Sequence, residues 1–261
     1  PGRYGYLPLA LQKFLRSDNR KCQISDTNTG LKLTHPCVLR FGVEPSKDQS
    51  FIGALAAVWA DQLQGTVLSI PEMKEVLIQS LDLDRFMALQ NGNLVEVFDP
   101  DEDVDLAKYK NSKIYRSTDP ADPSQMAFLR KVVRSYKNYL DYLRDENVKM
   151  DYTYLWDLIC DPNPSLFKGG LNLAILAINQ EDMTDNVEII CPSNHYASTF
   201  FDANRSTAII LKVGDYFEPI FQFELQARKN IVTRRFTTKA SRVLPNLRTA
   251  LELIKRSLNE K

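Results

Sequence analysis

From Phe51 to Ala60 the chain reads FIGALAAVWA, a stretch with no charge and no polar side chain beyond the indole of Trp59. It is too short to span a bilayer, which takes about 20 residues, so the fold must bury it. Phe51, Ile52, Ala54, Leu55, Val58 and Trp59 recur at i, i+3, i+4, i+7 and i+8. That period predicts a helix at least half buried. The Glu44-Pro45-Ser46 turn leads into it, and the helix opens near Asp48. Ser50 then falls in the first turn, where backbone N–H groups lack intrahelical partners and the macrodipole favours negative charge. A nucleophile whose anion needs stabilising is placed at such a position. The plainer alternative is that Asp48 or Ser50 simply caps a core helix.

Other elements arrange themselves around this helix. Pro1 to Arg16 reads as a turn followed by a short amphipathic helix with Tyr4, Tyr6, Leu7, Leu11, Phe14 and Leu15 on its apolar side, and Lys21 to Pro36 as a polar loop. Ser69-Ile70-Pro71-Glu72 matches a capping box, predicting a helix to about Leu89, with a short strand over Leu94–Phe98. The acidic run Asp99–Asp105 lacks the glycine and terminal glutamate of a calcium loop and reads as a solvated loop. Asp122-Pro123 opens the longest helix, to about Glu146, and Asp151–Cys160 gives another short one. Leu171–Ile178 is so uniformly apolar that helix and strand remain equally open. After Val187 the pattern turns β-rich. Thr207–Val213 and Tyr216–Leu225 flank Gly214-Asp215 and predict an antiparallel hairpin, with Pro219 at an edge or bulge.

The order is helices first, then a small antiparallel sheet, which makes an α+β fold. Residues 1–225 are expected to form that domain. Residues 226–261 shift to a basic composition and end in a helix striped by Leu247, Ala250, Leu251, Ile254 and Leu258. They read as a basic helical appendage that either covers an acidic face of the domain or binds a partner.

Formal net charge is zero over 261 residues, so the molecule as a whole has no electrostatic bias towards nucleic acid. No apolar run is long enough for a membrane span. The chain opens on Pro1 rather than Met, which reads as a fragment or a processed product. Cys22, Cys37, Cys160 and Cys191 form no CxxC pair and are joined by only His35 and His195. Neither a zinc site nor any other cofactor is expected; reduced thiols in a cytosolic or nuclear compartment are.

Lys47-Asp48-Gln49-Ser50 and the apolar helix after it resemble the nucleophile helix of ovarian-tumour (OTU) type deubiquitinases, where an Asp-Gly-Asn-Cys run precedes the helix. The family closes on a strand ending in His-Tyr. Thr207–Glu224 is similar to that strand, with Asp215-Tyr216 in place of His-Tyr, and Leu166–Pro192 resembles the family's intervening Gly-rich, helical and strand segments. The resemblance implies a papain-like fold over roughly residues 38–224, with Ser50 and Asp215 at the nucleophile and base positions. PGRYGYLP, QSFIGALA, DYTYLWDLIC and YFEPIFQFE also resemble parts of large proteins of nucleocytoplasmic large DNA viruses. That resemblance implies a piece of a longer viral chain, working in the cytoplasm, the virion or the viral factory.

Both catalytic positions depart from the OTU pattern. A serine hydroxyl needs a strong base before it attacks, and a carboxylate is a poor base at neutral pH unless burial raises its pKa. The expectation is therefore an inactive OTU-like domain used for binding or assembly, with a protein partner that on the resemblance could be ubiquitin-like. A rival is a hydrolase pairing Ser50 with His195, which lies in a Ser-Asn-His-Tyr loop earlier than the family order would place a base, or relying on a group outside the chain. A third reading is a nucleic-acid-associated factor using Arg228, Lys229, Arg234, Arg235, Lys239 and Arg242.

Overall fold

The computed structural model describes residues 1–32, 35–100, 102–179, 185–192, 200–226 and 228–260. Its spine is a seven-stranded mixed sheet, and the architecture is α+β. The strands are β1 (Tyr4–Gly5), β2 (Cys37–Phe41), β3 (Leu171–Ile178), β4 (Val187–Ile190), β5 (Ser206–Val213), β6 (Tyr216–Gln226) and β7 (Lys229–Thr233). They lie in the order β1-β2-β6-β5-β3-β4, with β7 paired to β6. β3 and β5 run parallel, Leu171 opposite Ser206 and Ile178 opposite Val213, while the other pairs are antiparallel.

The sheet is thus not the small antiparallel one, following the helices, that the sequence predicts. β1 and β2 precede most of the helices, and a parallel pair sits inside. The reason lies in burial. Leu173 and Ile175 of β3 enter one core and Ala174 and Leu176 another, so the strand is apolar on both faces and carries no alternation to read. Pro219 is likewise not on an edge strand. It faces Ile210 of β5 inside the sheet, where the β2 ladder, which ends at Ile220, no longer asks for its missing N–H.

In chain order the helices are α1 (Leu9–Leu15), α2 (Asn19–Cys22), α3 (Ser50–Trp59), α4 (Ile70–Gln79), α5 (Leu83–Ala88), α6 (Asn93–Val97), α7 (Lys113–Ser117), α8 (Pro123–Arg144), α9 (Trp156–Cys160) and α10 (Pro245–Asn259). α3 through α9 build the layer over one face, with α3 lying against β6 and buried from Ser50 to Val58. The capping box at Ser69 forms, its N–H donating to Glu72 Oε2 at 2.8 Å. The helix stops ten residues short of Leu89, because Asp82 caps a new one through the Arg85 N–H at 2.7 Å. Leu94–Phe98 is not a strand: Gly92, at φ 86°, turns the chain into α6. The acidic run is only partly a free loop. Glu96, Asp99 and Glu102 meet Lys131, Arg134 and Lys137 of α8 at 2.6, 3.0 and 3.8 Å, one register of threes laid on another.

α1 and α10 cover the opposite face. Leu7, Leu11 and Leu15 join Leu247, Leu251, Ile254 and Leu258 over Val38, Ala174, Leu176, Ile209, Leu211 and Ile220. Burying each such Leu or Ile is worth roughly 1.5–3 kcal/mol, so α10 has an apolar reason to stay on the sheet. The basic C-terminal composition therefore describes the outer side of elements whose inner side is core.

The cysteines depart from expectation. Cys22 and Cys37 form a disulfide, with Cα atoms 5.8 Å apart, and Cys160 and Cys191 stay outside it. Their separation of 15 in sequence hid the pairing, which is made by a hairpin-like return between Gln23 and Leu31.

Candidate functional site

Ser50 is the first residue of α3, and the turn between β5 and β6 comes up against it. Gly214 adopts φ 58° and Asp215 does not have positive φ, the pattern of a type II′ hairpin turn, which needs glycine at its first central position. In a two-residue hairpin the pair flanking the turn, Val213 and Tyr216, exchanges hydrogen bonds, so the next pair, Lys212 and Phe217, does not. The Phe217 N–H points away from β5, past the end of the β2 ladder. It donates instead to Ser50 Oγ at 3.0 Å, and the Ser50 hydroxyl faces the Asp215 carbonyl at 3.5 Å. Ser50 is 1% exposed.

Residues 50 and 215 are therefore neighbours, but through the backbone of 215. The Asp215 carboxylate turns out to solvent and takes a hydrogen bond from Lys149 Nζ at 2.5 Å. That bond and the Lys149 charge, aided by Lys212 and Lys47, hold its pKa below the usual carboxylate value. The same contact raises the pKa of Lys149. His195 lies outside the described residues.

The residue before Ser50 is held as firmly. Gln49 is 3% exposed, and its amide donates to the carbonyls of Asp145 at 2.8 Å and Val148 at 3.0 Å. Lys74 of α4, itself buried, donates to Gln49 Oε1 at 3.2 Å and to the Asp145 carbonyl at 2.8 Å. Burial lowers the pKa of Lys74, while Glu146 and Asp145 push it back up. Below Ser50, Phe51, Tyr152 and Phe217 make edge-to-face contacts at 5.3–6.3 Å. Lys74, Lys149 and Tyr152 join the site from distant parts of the chain, and Gln49 carried no expected role of its own. Lys74 alone left a signal, standing four residues after Ile70 on the face that buries Met73 and Leu77.

The basic residues of the C-terminal segment divide into two groups. Arg234 is buried: it donates to the Ala57 carbonyl at 2.9 Å, pairs with Asp61 at 3.4 Å and stacks over Phe221 at 4.9 Å. Arg235 pairs with Asp61 at 3.5 Å and lies over Phe167 at 5.4 Å. Arg228, Lys229, Lys239 and Arg242 are exposed. Among the described residues no group of three or more His, Cys, Asp or Glu side chains is placed to hold a metal ion. No helix formed by them is long and apolar enough to cross a membrane.

No protein-family model matches the sequence. The chain is 28% identical over 124 residues to an uncharacterized protein, R327, of Acanthamoeba polyphaga mimivirus. The match takes in 44% of this chain and 7% of that protein, so the chain spans a small part of its relative's length. The similarity connects the chain with a viral sequence.

Proposed function

We propose that the chain is an OTU-like domain that has lost its catalytic chemistry and serves as a binding or assembly module within a longer viral protein. The observation that carries this reading is the state of the Ser50 oxygen. It sits where the resemblance places the nucleophile, at the first residue of a buried helix and beside the turn carrying residue 215. Yet it is buried and serves as the acceptor that closes the end of the β5–β6 hairpin. Among the described residues its contacts are the Asp215 carbonyl and the Phe217 N–H, and neither is a base. The residue 215 carboxylate is paired with Lys149 and is a weaker base for that pairing. A domain without turnover keeps its value through what it holds, and the partner class this reading favours is protein.

The test uses the reactivity of position 50. In Ser50→Cys the thiol should alkylate slowly with iodoacetamide, with an apparent pKa at or above the free value of about 8.5, as burial dictates. Adding Asp215→His should quicken alkylation and lower that pKa if the OTU relation holds, which requires the new imidazole to turn from the solvent side, where the carboxylate meets Lys149, towards position 50. Equal rates and equal pKa values would remove the OTU reading. Wild-type cleavage of a ubiquitin-like or simple ester substrate would end the inactive reading, and its loss in His195→Ala would assign it to a serine hydrolase. A pull-down using the full-length parent protein then tests the binding role.

A further inference from the structure

The two large cores lie on the two faces of the sheet, but Cys22, Cys37 and Leu39 form a third, separate cluster with Tyr4, Tyr6, Leu31 and Phe223 packed against it. Cys37 and Leu39 alternate with Val38, which belongs to the α1/α10 side, so they point to the face carrying the helical layer. Phe223, opposite Cys37 on β6, points the same way. The cover at this end of the sheet comes from the arm that runs from α2 to Lys32. It is closed on itself by the Gln23–Leu31 bridge and by the Lys32 N–H donating to the Cys22 carbonyl at 2.8 Å. At its start Asn19 donates to Gln12 Oε1 at 3.0 Å and to the Leu7 carbonyl at 2.9 Å; beyond that the Tyr6 hydroxyl donates to the Thr29 carbonyl at 2.5 Å and the disulfide ties the arm to β2.

We infer that Cys22–Cys37 is a redox clasp, which when oxidised holds the arm over an apolar patch made by Tyr4, Leu39 and Phe223, and when reduced lets the arm lift while the rest of the fold stands. Among the described residues its cluster shares Tyr4 with the helical-side core and no residue with the α1/α10 core, which confines the change to this end of the sheet. The remaining cysteines cannot divert the chemistry. Cys160 is buried, with its thiol pKa pushed well up by desolvation, and Cys191 follows β4 at the opposite edge of the sheet. A dithiol reductant supplies two electrons and two protons. Its thiolate attacks one sulfur, the Cys22–Cys37 bond breaks, the departing sulfur takes up a proton, and the reductant's second thiol closes its own ring disulfide as the first sulfur leaves protonated. Oxidation restores the same pair, since no other sulfur is in reach.

The experiment is thiol counting joined to hydrogen exchange on the whole chain. Protein purified without reductant and denatured in iodoacetamide should show alkylation at Cys160 and Cys191 only. After dithiothreitol all four cysteines should label. Exchange at the amides of Asn19–Lys32 and Cys37–Leu39 should then rise at least tenfold, with α3, β5 and α10 unchanged. Cys22→Ser and Cys37→Ser should each show the fast exchange with or without reductant. Four labelled cysteines before reduction would overturn the clasp. So would unchanged exchange after reduction, and a loss of protection throughout the chain would make the bond a general staple instead.

Discussion

Replacing Ser50 with alanine separates a structural serine from a catalytic one. The substitution removes the acceptor of the Phe217 N–H, which the hairpin register and the end of β2 leave with no strand neighbour. An unpaired buried N–H costs about 1–3 kcal/mol. The 3.5 Å contact to the Asp215 carbonyl is too long to add to that. Alanine's better helix propensity returns at most about 0.5 kcal/mol in a first turn. The net loss is about 1.5 kcal/mol. For a chain this size each kcal/mol moves the melting temperature by roughly 2–4 °C, so Ser50→Ala should melt about 3–6 °C lower. Urea unfolding should show a lower midpoint at constant m-value. A serine held for catalysis behaves the other way, because functional sites give up stability for activity. A Ser50→Ala protein as stable as the wild type, or more so, would refute the reasoning.

Other consequences follow from the same packing. Arg234→Ala should cost about 2–3 kcal/mol in urea unfolding, through its buried hydrogen bonds and its stacking on Phe221. Arg234→Ala should leave any salt-dependent binding to DNA unchanged, whereas charge removal at Lys229 or Arg242 would shift it if nucleic acid binds there. Ser69→Ala breaks the capping box of α4 and should cost about 1 kcal/mol. Stability should fall on the alkaline side. Burial raises the pKa of Tyr136 to about 12 and lifts Tyr139 and Tyr142 above 10 as well, so these phenols stay protonated in the fold while the unfolded chain ionises from pH 10. The unfolded state then binds fewer protons, and the stability they contribute, complete below pH 10, drains away as pH rises through the folded values. Urea midpoints across that range, with tyrosinate absorbance alongside, measure it; a flat profile would contradict the burial of these rings.

Where one face was buried and the other wet, the sequence could be read. The long helix opened by Asp122-Pro123, the Ser69 capping box and the Gly214-Asp215 hairpin all lie where expected. β3 could not be read, since burial on both faces erases the period. Nor could the true end of α4, where the pattern of apolar residues continues past Gln79 but Asp82 competes for the chain as a new cap. At the site, the position of Ser50 at a buried helix start was legible from local pattern. Its approach to the 214–215 turn was legible only through the OTU resemblance, and its hydrogen bond to Phe217 not at all. That bond depends on where the β2 ladder ends, which is a matter of tertiary register. The Cys22–Cys37 pairing and the burial of Arg234 were hidden for the same reason, as each is made by residues distant in the chain.

The claim that Ser50 is an internal hydrogen-bond acceptor and not a nucleophile is tested most directly by its own reactivity. The wild-type protein is treated with a fluorophosphonate ester, which phosphonylates activated serines, and the peptide containing Ser50 is weighed by mass spectrometry. No adduct on Ser50 is the predicted result, with the same outcome in the His195→Ala protein. An adduct on Ser50 that forms in the wild type and is lost on unfolding would show an activated hydroxyl and contradict the account.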